Sequence, residues 1–283
     1  MLSGSFPALI TPFTSEGEID IGCFKKLIHW HIEQGSDGIV VCGCTGEAAT
    51  LSSEEQKMLI SIAVKEAKGK IPIIAGTSSN DTKVAISQTK AAKEARADAC
   101  LVIFPYYNKP TFRGCIAHFS AIAACNLPII IYHHPGRTGI CFSPSQLATL
   151  CSIPGVIGLK DSSGNIEKAK EFIQLSPVPL LSGDDAPSLE FIEVGGKGSI
   201  SVIANLRPKI WKECIQKALQ KDIEGAKQKY ATIASPIAAM ALEINPQCIK
   251  YAMSIEGLCP PFLRLPLVMP EVENQERIIN SLR

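Results

Sequence analysis

The chain is 283 residues long, 46% hydrophobic and 19% charged, with a formal net charge of +1. Such a composition supplies a sizeable core, excludes disorder, and gives no electrostatic reason to expect nucleic acid or an anionic membrane as a partner. The start, Met1-Leu2-Ser3-Gly4-Ser5-Phe6-Pro7, lacks a basic region followed by an apolar stretch, and no run of ~18 apolar residues occurs anywhere, so a soluble, cytoplasmic protein is expected.

Eight short apolar runs, rich in Ile and Val, follow one another at 6–10, 38–41, 71–75, 99–104, 128–132, 156–160, 178–182 and 199–202. Between and after them lie amphipathic stretches of helical period at 21–34, 56–68, 82–95, 113–125, 144–151, 166–175, 186–194 and 208–219. Asp20, Ser52 and Asp81 stand where a side-chain oxygen can cap the first free amides of a helix. Strict alternation implies parallel strands with crossover helices, and strands that read as unbroken apolar runs are expected when both faces of the sheet are covered. Eight units predict an α/β fold, a closed (β/α)8 TIM barrel; an open, doubly wound sheet is the alternative.

The barrel is assigned to residues 1–221 and a C-terminal helical domain to 222–283, with helical patterns at 223–240, 246–256 and 271–282 and a break at Cys259-Pro260-Pro261. Oligomerisation, rather than catalysis, is the expected role of this tail. Eleven cysteines in a chain too long to need disulfide staples point to buried, reduced thiols. Cys42 and Cys44 form C-x-C, not paired C-x-x-C knuckles, so no metal is expected there.

In such barrels the active site lies at the carboxyl ends of the strands. That filter selects Thr11, the Gly43-Cys44-Thr45-Gly46-Glu47 loop, Gly76-Thr77, Pro105-Tyr106-Tyr107-Asn108-Lys109-Pro110, Tyr132 with His133, His134 and Arg137, and Lys160. Lys160 ends the run Gly155-Val156-Ile157-Gly158-Leu159-Lys160-Asp161. Lysine usually snorkels to water, but one held against a low-dielectric barrel wall loses its charge more readily and becomes an amine able to attack a carbonyl. Schiff-base chemistry with a keto acid follows, with Tyr132 as proton shuttle, Thr45 as a bridge to Tyr107, and Arg137 as a clamp for a carboxylate. The backbone of the 43–46 turn offers a nest for a second carboxylate. Gly195-Gly196-Lys197-Gly198-Ser199 lacks the full phosphate-loop order and precedes a strand, while His29 and His31 face different directions on a helix.

These residues resemble the dihydrodipicolinate synthases, of the pyruvate-dependent Schiff-base aldolase superfamily that includes N-acetylneuraminate lyase. The resemblance rests on Phe6-Pro7-Ala8-Leu9-Ile10-Thr11-Pro12-Phe13, Thr45-Gly46-Glu47, the 105–110 segment, Tyr132 with Pro135-Gly136-Arg137-Thr138-Gly139, Gly158-Leu159-Lys160 and Ser182-Gly183-Asp184-Asp185. It implies that Lys160 forms the imine with pyruvate and that Tyr132, a hydroxyl of the 43–46 loop and Tyr107 relay protons, the last across a dimer interface. It further implies that Thr45 binds the pyruvate carboxylate, that Arg137 binds L-aspartate 4-semialdehyde, and that the backbone around Gly183 and Ile200 lines the site. A homotetramer of tight dimers, with no metal and no organic cofactor, belongs to the same implication. A sugar-acid lyase, or a keto-acid-binding sensor or scaffold, are the alternative readings.

Cys44 stands where the family usually has the threonine of the proton relay, and a thiol is the weaker hydrogen-bond donor. His133 and His134 replace a usual Asn-Val pair. Asn80 and Tyr106 match the family's lysine-inhibition site, whereas Ala48, Ser53, Gln56 and Val84 differ from lysine-sensitive members.

Overall fold

The eight apolar runs form eight parallel strands in the computed structural model, which describes residues 2–283. They are β1 (Gly4–Pro7), β2 (Ile39–Val41), β3 (Ile73–Gly76), β4 (Ala99–Ile103), β5 (Ile129–His133), β6 (Val156–Asp161), β7 (Leu180–Ser182) and β8 (Gly198–Ser201). Each strand pairs with its sequence neighbour from β2 to β8, and β1 pairs with β8. A parallel bridge between Ala8 and Val40 closes the barrel. The first run was expected over 6–10, but the regular ladder ends at Pro7 because the chain there changes partners. Ala8 N donates to Ser201 O at 2.8 Å, Leu9 N to Val40 O at 2.8 Å, and Ile10 N to the Asn205 side chain at 3.1 Å.

Successive strand residues point to opposite faces, so the runs feed two separate apolar layers. Phe6, Val40, Ile74, Leu101, Ile130 and Leu181 fill the barrel interior. Ile39, Ile129, Ile131 and Leu159 face outward onto helix residues such as Phe119, Phe172 and Trp211. Both faces are covered, which is why most of the strands carry no polar alternation; β8, with Ser199 and Ser201 beside Ile200, is the exception.

The barrel helices are α1 (Ile21–Glu33), α2 (Ser53–Ala67), α3 (Thr82–Glu94), α4 (Phe112–Ala123), α5 (Pro135–Thr138), α6 (Pro144–Cys151), α7 (Ile166–Leu175), α8 (Ser188–Glu193) and α9 (Pro208–Leu219). Asp20, Ser52 and Asp81 cap α1, α2 and α3 by accepting from the amides of Cys23, Glu55 and Lys83 at 2.8, 3.1 and 2.8 Å. The tail forms α10 (Ile223–Ala231), α11 (Ala234–Ala239), α12 (Gln247–Ile255) and α13 (Val272–Leu282). The expected single helix over 223–240 is two, because Pro236 has no amide hydrogen and its ring collides with the carbonyl four residues back, at Thr232. All eleven cysteines are free, and most are buried. Among the described residues no helix is long and apolar enough to cross a membrane.

Candidate active site

β5 and β6 place Tyr132 directly opposite Lys160, so both side chains enter the barrel mouth from the same row. The Lys160 Nζ sits 4.0 Å from the centre of the Tyr132 ring, and the residue is only 6% exposed. Burial lowers its pKa from the ordinary lysine value to about 8; the Cys44 sulfur and the carboxylates of Asp184 and Asp185 pull the other way. Burial raises the Tyr132 phenol well above its usual value. Room for the lysine stem comes from Gly183, where an added Cβ would overlap the Ser162 hydroxyl and crowd Lys160 Cε.

A cavity of about 100 Å³ opens above this pair, and Cys44, Thr45, His134, Arg137 and Asp184 complete its wall. Its floor is apolar barrel interior, Ala8, Val40 and Leu101. A larger, mostly apolar space of about 350 Å³ continues outward past Ala48, Ala49, Tyr106, Ile244 and Leu267. Small polar substrates would therefore react at an enclosed polar end, beneath a wider apolar vestibule.

The Gly43–Glu47 loop is fixed by contacts that reach across the chain. Glu47 adopts a left-handed backbone, φ 54, which is costly for a residue with a Cβ. Its carboxylate compensates: Oε1 meets Lys250 Nζ at 2.5 Å and Oε2 accepts from Arg264 N at 3.0 Å, with both Glu47 and Lys250 side chains fully buried. Thr11, selected as a strand-end residue, braces the same loop by donating to Gly46 O at 2.7 Å. The tail, expected to serve oligomerisation, also reaches the cavity. Asn245 Nδ2 donates to Thr45 Oγ1 at 2.9 Å, and Arg137 Nη2 donates to Asn245 O at 3.1 Å.

Not every selected residue enters the mouth. His133 was read as pointing into the mouth, but it follows Tyr132 on one strand and so faces outward, where Nδ1 meets Asp161 Oδ1 at 2.6 Å beside Phe104. His134 does line the cavity; burial first, then the Arg137 and Lys160 charges, lower its pKa to about 4, leaving a neutral imidazole. Tyr107 lies away from the lysine, 90% exposed, on a left-handed turn of φ 69. The Ile200 side chain is fully buried in the barrel interior, opposite Phe6.

Several residues escaped sequence reasoning. Ser162 and Asp184 follow strand ends and so carried a signal, whereas Asn245, Lys250 and Arg264 carried none. Among the described residues no group of three His, Cys, Asp or Glu side chains is placed to hold a metal ion.

A desolvated lysine at the mouth of a (β/α)8 barrel, facing a phenol with an arginine at the rim, is the arrangement of an imine-forming lyase. Comparison with known proteins agrees. The family model described as the Dihydrodipicolinate synthetase family matches residues 1–283. A 4-hydroxy-tetrahydrodipicolinate synthase of Thiobacillus denitrificans is 42% identical over 281 residues, 98% of this chain and 95% of its own. The crystal structure of a chloride-inhibited dihydrodipicolinate synthase from Acinetobacter baumannii, complexed with pyruvate, superposes with a TM-score of 0.98 at 41% identity, covering 100% of this chain and 98% of that one. Dihydrodipicolinate synthase from Aquifex aeolicus gives a TM-score of 0.97 at 38% identity, covering 99% and 97%. The chain belongs to the dihydrodipicolinate synthetase family.

Proposed function

We propose that this lyase condenses pyruvate, held as an imine on Lys160, with L-aspartate 4-semialdehyde to give 4-hydroxy-tetrahydrodipicolinate, on the route to diaminopimelate and lysine. The observation that carries the reading is the Lys160 amine, 6% exposed at the base of a polar cavity and 4.0 Å from the Tyr132 ring. Its neutral form attacks the keto carbon, and Tyr132 supplies the proton with which the carbonyl oxygen leaves as water. The cationic imine then draws electrons from the neighbouring methyl carbon; loss of a proton leaves an enamine that attacks the aldehyde. The amine itself supplies the electron sink, so the chemistry calls for no further cofactor.

Thr45 and the amides of its loop hold the pyruvate carboxylate, Arg137 receives the carboxylate of the aldehyde substrate, and Gly183 keeps the lysine's path open. Ile200 supports the floor from below. Cys44 stands beside the reacting pair in place of a hydroxyl. Tyr107, exposed on its turn, serves the site of a neighbouring subunit in a homotetramer built from tight dimers. Residues 1–221 form the catalytic barrel and 222–283 a helical brace that adds Asn245 to the mouth. The compartment this reading implies is the cytoplasm.

Borohydride reduction in the presence of pyruvate tests it: intact mass should rise by one reduced pyruvyl group, located at Lys160 by peptide mapping. An unmodified mass sinks the reading. Turnover with aspartate semialdehyde, set against N-acetylneuraminate and a 2-keto-3-deoxy sugar acid, then selects the second substrate.

A further inference from the structure

The pairing that sets Tyr132 opposite Lys160 is interrupted lower in the barrel. Between β5 and β6 the register shifts after Ile129 and Val156: Ile157 is skipped, and Ile130 meets Gly158. A bulge of this kind leaves the register above it to be fixed from the other end, and a slip by one residue would turn Lys160 out of the mouth. That other end is closed by His133 and Asp161, the last partners of the ladder, one residue beyond Tyr132 and Lys160. Their side chains lie on the outer face, 1% and 5% exposed, with Nδ1 and Oδ1 2.6 Å apart. In so dry a place a hydrogen bond is stronger than at the surface.

The surrounding contacts lead back to the reacting groups. Ser162 N donates to His133 O at 2.8 Å, and the Ser162 hydroxyl faces the Tyr132 hydroxyl at 3.4 Å. Gly183 N donates to Asp161 O at 2.8 Å, and Gly183 is the residue that leaves room for Lys160 Cε. Asp161 Oδ2 accepts from Ser163 Oγ at 2.6 Å, so the same carboxylate holds the turn that follows Ser162. The imidazole packs edge-on to Phe104, 5.8 Å between ring centres, and among the described residues its Nε2 meets no partner.

We propose that His133 and Asp161 are positioning residues for imine formation: their side-chain bond on the outer face of β5 and β6 holds the Lys160 amine and the Tyr132 phenol in register on the inner face. This inference rests on the imine chemistry proposed above. Neither side chain touches a reacting atom. They act through the two strand ends, which carry the phenol and the amine, and through Ser162 and Gly183, which their backbones hold. The bond needs a δ nitrogen rather than a ring, so an asparagine at 133, whose Nδ2 is likewise attached to Cγ, would serve.

The experiment is a single-turnover measurement of imine formation across a pyruvate titration, quenched in borohydride and read by intact mass. It compares wild type, His133→Phe, His133→Asn and the His133→Phe/Asp161→Leu pair. Phenylalanine keeps a ring against Phe104 and removes the nitrogen; the pair variant also removes the carboxylate that His133→Phe strands. The amplitude reports the fraction of molecules with a competent site, and the limiting rate constant reports how well that site is set. A misplacement of ~1 Å can cost about 10²-fold, so loosening one side-chain contact over an intact backbone ladder should slow His133→Phe about 10-fold. The half-saturating pyruvate concentration should stay within about threefold, since Thr45 and Arg137 are untouched, and His133→Asn should recover the rate constant to within the same margin. The pair variant should regain the amplitude and melting temperature that His133→Phe loses, because no buried charge is left alone, yet remain as slow. A wild-type rate constant in His133→Phe or in the pair variant, with the change confined to amplitude or melting temperature, overturns the proposal by reducing the contact to packing. A slow His133→Asn also overturns it, by tying the effect to the imidazole ring instead of the bond. If His133→Phe does not fold, the pair variant and His133→Asn decide alone. No adduct in wild type would instead remove the imine reading and the positioning role with it.

Discussion

Two lysines are buried in this molecule, and they are buried for opposite reasons. Lys250, fully enclosed, meets Glu47 at 2.5 Å and the Phe262 carbonyl at 2.7 Å, with its Nζ 4.2 Å from the Phe13 ring centre. Lys160 also lies over an aromatic ring, but its carboxylate neighbours, Asp184 and Asp185, act at longer range and leave its pKa at about 8. Burial lowers the pKa of both amines; Lys250 is returned towards its charged form by a carboxylate in direct contact. The molecule thus spends one buried cation on tying the tail to the mouth loop, and leaves the other short of compensation so that it can react.

The contrast breaks most sharply at Lys160. Lys160→Met should abolish imine trapping and lower turnover on the order of 10⁴-fold or more, the scale seen when a covalent nucleophile is removed. Its melting temperature should hold or rise, because a desolvated amine is replaced by an apolar chain of similar length. A clear fall in melting temperature would mean that Lys160, too, holds the structure together. Tyr132→Phe comes next: kcat in the coupled assay should fall about 10²- to 10³-fold, with pyruvate KM little changed.

Lys250→Met should behave in the reverse manner, since it strands the Glu47 carboxylate in a dry site. Breaking a buried pair costs about 3–5 kcal/mol, readable in urea unfolding. Adding Glu47→Gln should restore much of that loss, because the second change removes the orphaned charge. If the double variant is no more stable than Lys250→Met, the pair is not what holds the loop and the tail together.

How much of this was readable beforehand divides along the same line. The strands were legible because both faces of the sheet are apolar, and Lys160 stood out because it ends such a run. Parity along β5 was the missed step: Tyr132 and Lys160 share a row, so His133 had to face away and pair with Asp161. The Glu47–Lys250 contact spans 203 positions and Asn245–Thr45 spans 200, and neither leaves a local trace in the sequence. Glu47 also looked like one more member of a turn, although its left-handed backbone needs those distant partners.

The pH dependence sharpens the comparison at smaller amplitude. The reactive form of Lys160 is the neutral amine, and with a pKa of about 8 its share rises as pH rises towards and through that value. The rate constant for imine formation should therefore climb about eightfold from pH 6.5 to 7.5 and level off above pH 8, where an ordinary lysine would keep climbing to about 10.4. A flat profile between pH 6 and 8 would place the amine's pKa elsewhere. The titration cannot come from Lys250, whose Nζ lies against Glu47 and away from the cavity wall.

The smallest effect is expected at Cys44. It borders the cavity beside Lys160 and Tyr132, yet the hydrogen-bond partner of the Tyr132 hydroxyl is Ser162, on β6's outgoing loop. With Ser162 already partnering the Tyr132 hydroxyl, a better donor at position 44 has little left to improve, and Cys44→Thr should change kcat by less than about threefold against the 10²-fold scale of a general acid–base group. A rise of tenfold or more would mean that the thiol is the slow link in the proton path. The main route would then run through the mouth loop, and the division of labour would shift: Glu47 and Lys250, which hold that loop, would be setting the rate at Lys160 as well as the stability of the tail.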